Sequence, residues 1–251
     1  MSYFLHRVFF NMGFFTDPFI NWKRIRHYGI IALLVWSITI FLFIQENKPD
    51  HKRVVLLVID GLRADAISAL GVRRAPHFHY LMRTGASTLN ARTDLRRTTT
   101  LPNIISILTG RPVFDTHRAH KNTLNMYTGQ SIHDPTDTYI HSVFDVTHEA
   151  GRRASFFATK NKLGIVIKSY TDPRYVGEEV DADKESARIQ SYAISNNDNK
   201  TFHFLTNELL HFDSYFMFTH LAGADLAGHA DGWELNAQSA YMQSVMTIDH
   251  Y

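Results

Sequence analysis

From residue 53 onward, short unbroken apolar runs alternate with longer stretches in which apolar residues recur every three or four positions. The first pattern reads as strand and the second as helix. VVLLVI (Val54–Ile59) is continuous and β-branched, which predicts a central strand buried on both faces. Residues 154–159 (ASFFAT) and 215–219 (YFMFT) predict two more strands, and a further one is expected near 87–93. Helices are predicted over 76–83, 102–108 with Gly110 as the stop, 139–150 with Gly151 as the stop, 199–211 and 236–251. Residues 160–198 are polar and turn-rich, and read as loops with one helix around 183–193. The repeated βα order predicts an α/β domain with a mostly parallel sheet.

The pattern changes at the amino terminus. Residues 29–44, GIIALLVWSITIFLFI, hold sixteen positions without a charge, and Tyr28 and Gln45 extend them to eighteen. That length crosses a bilayer core of about 30 Å. Only Ser37 and Thr39 interrupt it, too few for the polar stripe of a surface helix. A transmembrane helix is expected over 28–45, after an aromatic tail over 1–27 and before a polar linker over 46–52. The run starts late and ends without a small-residue cleavage pattern, so an uncleaved anchor fits better than a signal peptide. Lys23, Arg24 and Arg26 precede it. The resulting expectation is a single-pass membrane protein with a cytoplasmic amino terminus and an extracytoplasmic domain.

Composition narrows the function classes. The 26 basic and 24 acidic residues create no single-sign field, so no nucleic-acid-binding surface is expected. With no cysteine, disulfide frameworks, thiolate metal sites and cysteine nucleophiles are excluded.

Open parallel sheets place ligands beyond the carboxyl ends of their strands. Three such places carry polar residues. Asp60 follows VVLLVI directly, where it is either a turn former or a ligand. RTTTLPN (residues 97–103) opens the predicted helix over 102–108 with a threonine cluster. Those hydroxyls either cap the helix or attack an anion bound at its amino terminus. HLAGADLAGHADG, residues 220–232, reads as a glycine-rich loop with Asp225 and His229 four positions apart, suited to zinc.

In this order along the chain the three places resemble the alkaline phosphatase superfamily, and within it the type I phosphodiesterase / nucleotide pyrophosphatase group. The nearest likeness is to the membrane-anchored ethanolamine phosphate transferases of glycolipid-anchor synthesis. VVLLVIDGLRADA is similar to the family's first strand and metal aspartate, and RAPHFHYLM to the helix that follows. T-x-T-x-P-N, with T-G eleven residues after the first threonine, is similar to the nucleophile segment, and HLAGADLAGHADG to the second metal loop.

The resemblance implies a three-layer α/β sandwich, a zinc-dependent phosphodiesterase or phosphotransferase, and a phosphodiester or phospholipid-derived substrate near a membrane. It implies two zinc ions, Asp60 and Thr98 binding one while Asp225 and His229 help bind the other. Thr98, the first threonine of T-x-T-x-P-N, would be the nucleophile. Arg97 stands where the family has a proline. Asn103 matches the family's P-N as a structural residue, and Asn122 is the candidate for holding a phosphoryl oxygen.

The family completes its ligand set with an Asp-His pair after a later strand and one more histidine. Asp249-His250 does not supply that pair, because Tyr241, Val245 and Ile248 continue one helical face and place Asp249 within a helix. With four expected ligand positions present and three missing, the chain reads as a truncated member, inactive alone. The alternative is a catalytically dead, membrane-anchored binding module. Sulfatases are set aside because the chain lacks their Cys or Ser motif.

Overall fold

Four parallel strands, β1 (Val54–Ile59), β2 (Arg153–Ala158), β3 (Ser191–Ile194) and β4 (Ser214–Leu221), form one sheet among the described residues, in the order β1-β4-β2-β3. The computed structural model describes residues 29–30, 32–37, 39, 52–114, 117–176 and 187–251. The chain divides into two units, Met1–His51 and Lys52–Tyr251. In the first, the described residues are helical. Among the described residues no helix is long and apolar enough to cross a membrane, and half of the span expected over 28–45 lies outside them.

Among the described residues, β1, the strand predicted to be central, pairs with β4 alone. Val54, Val55 and Leu57 of β1 are 46, 41 and 40 % exposed. The centre belongs to β4, which pairs with β1 on one side and β2 on the other and buries seven of its eight residues. An apolar run shows that a strand is apolar. Its place in the sheet follows from partners elsewhere in the chain.

Among the described residues, eight helices of seven residues or more flank the sheet: α1 (Ala64–Arg74), α2 (Pro76–Thr84), α3 (Thr100–Thr109), α4 (Val143–Glu149), α5 (Gly164–Thr171), α6 (Asp198–His211), α7 (Gly223–Asp231) and α8 (Ala240–His250). Alternate strand residues serve opposite faces. Phe156, Phe216 and Phe218 pack with Leu101, Ile105, Phe144, Val166 and Tyr170 of α3, α4 and α5. Phe156 and Phe218 stack at 4.7 Å. Phe157 and Met217 pack on Leu205 of α6 on the other face. Tyr241, Met242, Val245 and Ile248 of α8 form a further cluster with α1 and α7, so the helical face read from the sequence is the buried one.

Several expectations change. Residues 87–93 are not a strand; STLNART is exposed and offers no apolar face to a neighbour. The region 160–198, read as loops, contains α5 and β3. Of the helix expected over 183–193, residues 183–186 lie outside the described residues and 191–193 belong to β3. Helix α1 escaped the pattern because it buries only Ala66, Ile67 and Leu70. The stop at Gly110 holds, with that residue left-handed at φ 65° and its N–H returning to Ser106. Asp249, in helix α8 as expected, accepts hydrogen bonds from the His77 and Phe78 N–H groups at 3.2 and 2.7 Å and so caps α2.

Residues 220–232, read as a loop, end strand β4 and form helix α7. Helix α7 lies against the turn after β1, where Gly61 adopts φ 74°. A Cβ there would sit 2.6 Å from the Asp225 Cα. Tyr241 of α8 fixes the same turn by donating to the Gly61 carbonyl and accepting from the Arg63 N–H, both at 2.9 Å.

Two outcomes follow. Gly61→Ala meets both an unfavourable φ and a backbone clash. A loss of about 2 kcal/mol or more is expected in urea unfolding, with α7 pushed away from β1. Second, His120 is fully buried; its Nδ1 accepts from the Asn122 N–H at 3.0 Å, so Nε2 carries the proton towards Ser106 at 3.0 Å. Burial lowers its pKa to about 4. The folded protein therefore binds fewer protons than the unfolded chain between about pH 6.5 and 4, and stability is full above that window and falls as pH falls through it. His120→Gln is expected to remove about 2 kcal/mol of the stability difference between pH 7 and pH 5, read from urea midpoints at the two pH values.

Candidate active site

The strand register sets the site. Ile59 pairs with Leu221, and Ala158 with His220, so β1, β2 and β4 end at one level. The ladder runs one step further, with Asp60 N–H donating to the Leu221 carbonyl and Thr159 N–H to the His220 carbonyl. Asp60, Lys160 and the start of α7 therefore emerge side by side.

Asp225 stands in the first turn of α7. The ammonium of Lys160 donates to Asp60 Oδ2 at 2.5 Å and to Asp225 Oδ2 at 2.6 Å. All three side chains are largely buried, with 12, 17 and 14 % of their surfaces exposed for Lys160, Asp60 and Asp225. Thr100 Oγ1 adds a hydrogen bond to Asp60 Oδ2 at 3.0 Å. The fully buried His220 has Nε2 3.6 Å from the same oxygen, beyond hydrogen-bond reach, and neither ring nitrogen has a partner.

Burial pushes the Asp60 carboxyl up, but His220 and Lys160 pull harder and hold it well below the usual carboxylate range. The lysine contact is the stronger of the two, being more than an ångström shorter. Burial likewise pulls Lys160 down, and its hydrogen bonds to Asp225 and Asp60 outweigh that, leaving its pKa raised.

Asp198 holds α7 in place. Its carboxylate accepts from the Ala222 and Gly223 N–H groups at 2.8 and 2.6 Å and from the Thr159 hydroxyl at 2.7 Å. It thereby joins the end of β2, the start of α6 and the amino terminus of α7. The amino end of α3 is held from the other side. Asn103 donates to the Arg97 and Thr99 carbonyls and accepts from the Asp94 N–H, the structural part expected of it. Asn125 Oδ1 accepts from the Leu101 N–H at the first turn of α3 and from Lys162 Nζ, both at 3.0 Å.

Of the residues read from the sequence, Asp60 and Asp225 are brought together. Thr98 is exposed, two residues ahead of α3, and Thr100 is the hydroxyl that reaches Asp60. His229 lies one helical turn after Asp225 at the rim, its Nε2 3.5 Å from Asp225 Oδ1 and its side chain 73 % exposed. Asn122 is buried, and its amide donates to the His120 and Ile132 carbonyls, which fixes the loop. Asn125 stands at the amino terminus of α3. Lys160 and Lys162 were also missed, although a Lys-x-Lys directly after a strand satisfies the same carboxyl-end rule that found Asp60. Asp198 carried no signal beyond that of a helix start.

A catalytic zinc takes three protein ligands. Among the described residues no three His, Cys, Asp or Glu side chains converge as such a set. The two aspartates converge on an ammonium, so the described residues do not by themselves fit two zinc ions.

The chain matches the family model for type I phosphodiesterase / nucleotide pyrophosphatase over residues 54–251. No curated protein matches it. Among solved structures it is similar to murine ectonucleotide pyrophosphatase / phosphodiesterase 5, with 20% identity and a TM-score of 0.52, covering 79% of this chain and 50% of that one. An inactive variant of the murine protein in complex with AMP gives 19% and 0.53, and the human counterpart 16% and 0.52, at the same coverage. The chain thus spans half the length of these structures. At such identities the structures speak to the fold, and the family model to membership: the chain belongs to the type I phosphodiesterase / nucleotide pyrophosphatase family of the alkaline phosphatase superfamily.

Proposed function

We propose that residues 52–251 are the nucleophile-bearing part of a phosphodiesterase or phosphotransferase in which Thr98 attacks phosphorus. The observation that carries the reading is the convergence at one sheet edge of the threonine run, the amino end of α3 and the Asp60–Lys160–Asp225 cluster. The free N–H groups of a helix start and nearby cations favour a phosphoryl group there. Lys160 and Lys162 supply the cations, and Asn125 borders the same terminus. A nucleophile has to meet the substrate, and Thr98 is the exposed hydroxyl of the run. Thr100, hydrogen-bonded to Asp60, is suited to positioning that carboxylate.

In the proposed reaction, Thr98 Oγ1 forms a bond to phosphorus as the bond to the leaving alcohol breaks. Water or an acceptor hydroxyl then cleaves the phosphothreonine, giving a diesterase or a transferase respectively. The inactive murine variant replaces a threonine and holds AMP, which supports a threonine in this role. The uncharged run over 29–44 supports attachment to a membrane, with the domain on the extracytoplasmic side and a phospholipid-derived substrate such as a phosphoethanolamine donor within reach. Zinc dependence belongs to the same proposal, with the missing ligands contributed from outside the described residues.

A second reading, a binding module without turnover, is favoured by the ammonium between the two aspartates. One experiment separates the two. The full chain is incubated with bis(p-nitrophenyl) phosphate, with and without added zinc, quenched in acid and mapped by mass spectrometry. A phosphoryl label at Thr98 is expected, lost at least tenfold in Thr98→Ala and reduced about tenfold in Thr100→Ala. A label on Thr100 would move the nucleophile there, and substrate binding without any label would favour the module.

A further inference from the structure

We propose that Lys160 is the resident cation of this cluster, holding the Asp60 and Asp225 carboxylates together, and that a divalent ion enters only by displacing it. Geometry carries the inference. One ammonium lies 2.5 Å from Asp60 Oδ2 and 2.6 Å from Asp225 Oδ2, so it occupies the point on which both carboxylates converge. Those side chains come from three elements: the end of β1, the end of β2 and the first turn of α7. Helix α7 is seated against Gly61 with no room for a methyl group, so the carboxylates cannot relax apart without moving a helix.

The groups facing the cluster are accounted for. Thr100 donates to Asp60, and His220 lies 3.6 Å from it, buried and with both ring nitrogens unpartnered. Lys162 is turned to Asn125, and His229 approaches only the outer oxygen of Asp225. Lys160 is therefore the single cation in direct contact with both carboxylates among the described residues. An ammonium and a divalent ion cannot share that point, since like charges a few ångströms apart repel strongly in a poorly hydrated site. A divalent ion brings two charges against two carboxylates. Its entry would release the lysine side chain towards the Asn125 side, where Lys162 already stands.

The inference concerns cation exchange at the cluster and needs no turnover, so it is independent of the phosphoryl-transfer reading. Its test uses the full chain and Lys160→Met, which keeps the apolar stem and removes the charge. Thermal unfolding is followed in chelator, and zinc affinity is measured by competition with a zinc-sensitive dye. In chelator the variant is expected to melt several degrees below the parent protein, because two carboxylates face one another unpaired. It is also expected to bind zinc at least tenfold more tightly and to regain more melting temperature on zinc addition. The double variant Lys160→Met with Asp225→Asn loses one charge of each sign. It is expected to recover more than half of the lost melting temperature and to lose the gain in zinc affinity. Equal or weaker zinc binding by Lys160→Met, or an unchanged melting temperature in chelator, would overturn the proposal. If the single variant fails to fold in chelator, folding of the double variant supports it and failure of both overturns it.

Discussion

Two carboxylates in a partly buried cleft repel each other, and each has given up water that solvated it. An arrangement that brings them to a common point needs a cation there, and breaking such a pairing on one side leaves an uncompensated charge at a cost of several kcal/mol. In this protein the cation is Lys160. The two strand ends and the helix that carry the three groups are thereby tied by electrostatics as well as by the apolar packing beneath them. Everything else at the sheet edge is arranged around that contact: Thr100 on Asp60, Asp198 on the start of α7, and Tyr241 on the turn at Gly61.

The supports differ in kind. Asp198 and Asp249 act through backbone N–H groups at helix starts, satisfying donors that the helix itself leaves free. Neither α2 nor α7 has a cap from its own flanking side chain. Their entry points are therefore set from distant parts of the chain, which fixes orientation at the expense of local independence. Helices α4, α6 and α8 are capped by Ser142, Asn197 and Ser239 from their own sequence.

That difference explains what could be read in advance. The strands VVLLVI and ASFFAT, the helix after the threonine run and the buried face of α8 follow from local periodicity. Asp60 and Asp225 follow from their places after strands. The pairing of β1 with β4, the helical form of residues 223–231 and the short strand β3 do not, because each depends on a partner far along the chain. Thr98 and Thr100 are two residues apart and chemically identical. Only the packing of α3 against β1 decides which hydroxyl faces Asp60. Asn122 and Asn125 pose the same problem: both lie in a polar loop, and the buried carbonyls of His120 and Ile132 claim the first.

The pairing of β1 with β4 joins Val54 to Phe216 and Ile59 to Leu221. Such distant partners make closure slow, since the entropy of a long loop is lost before any contact rewards it. During synthesis the segment that carries Asp60 leaves the ribosome early, and among the described residues its one sheet neighbour is complete only when residue 221 has been translated. Through that interval an apolar strand stands unpaired and open to aggregation. Chaperone occupancy of the nascent chain should therefore be greatest between those two points.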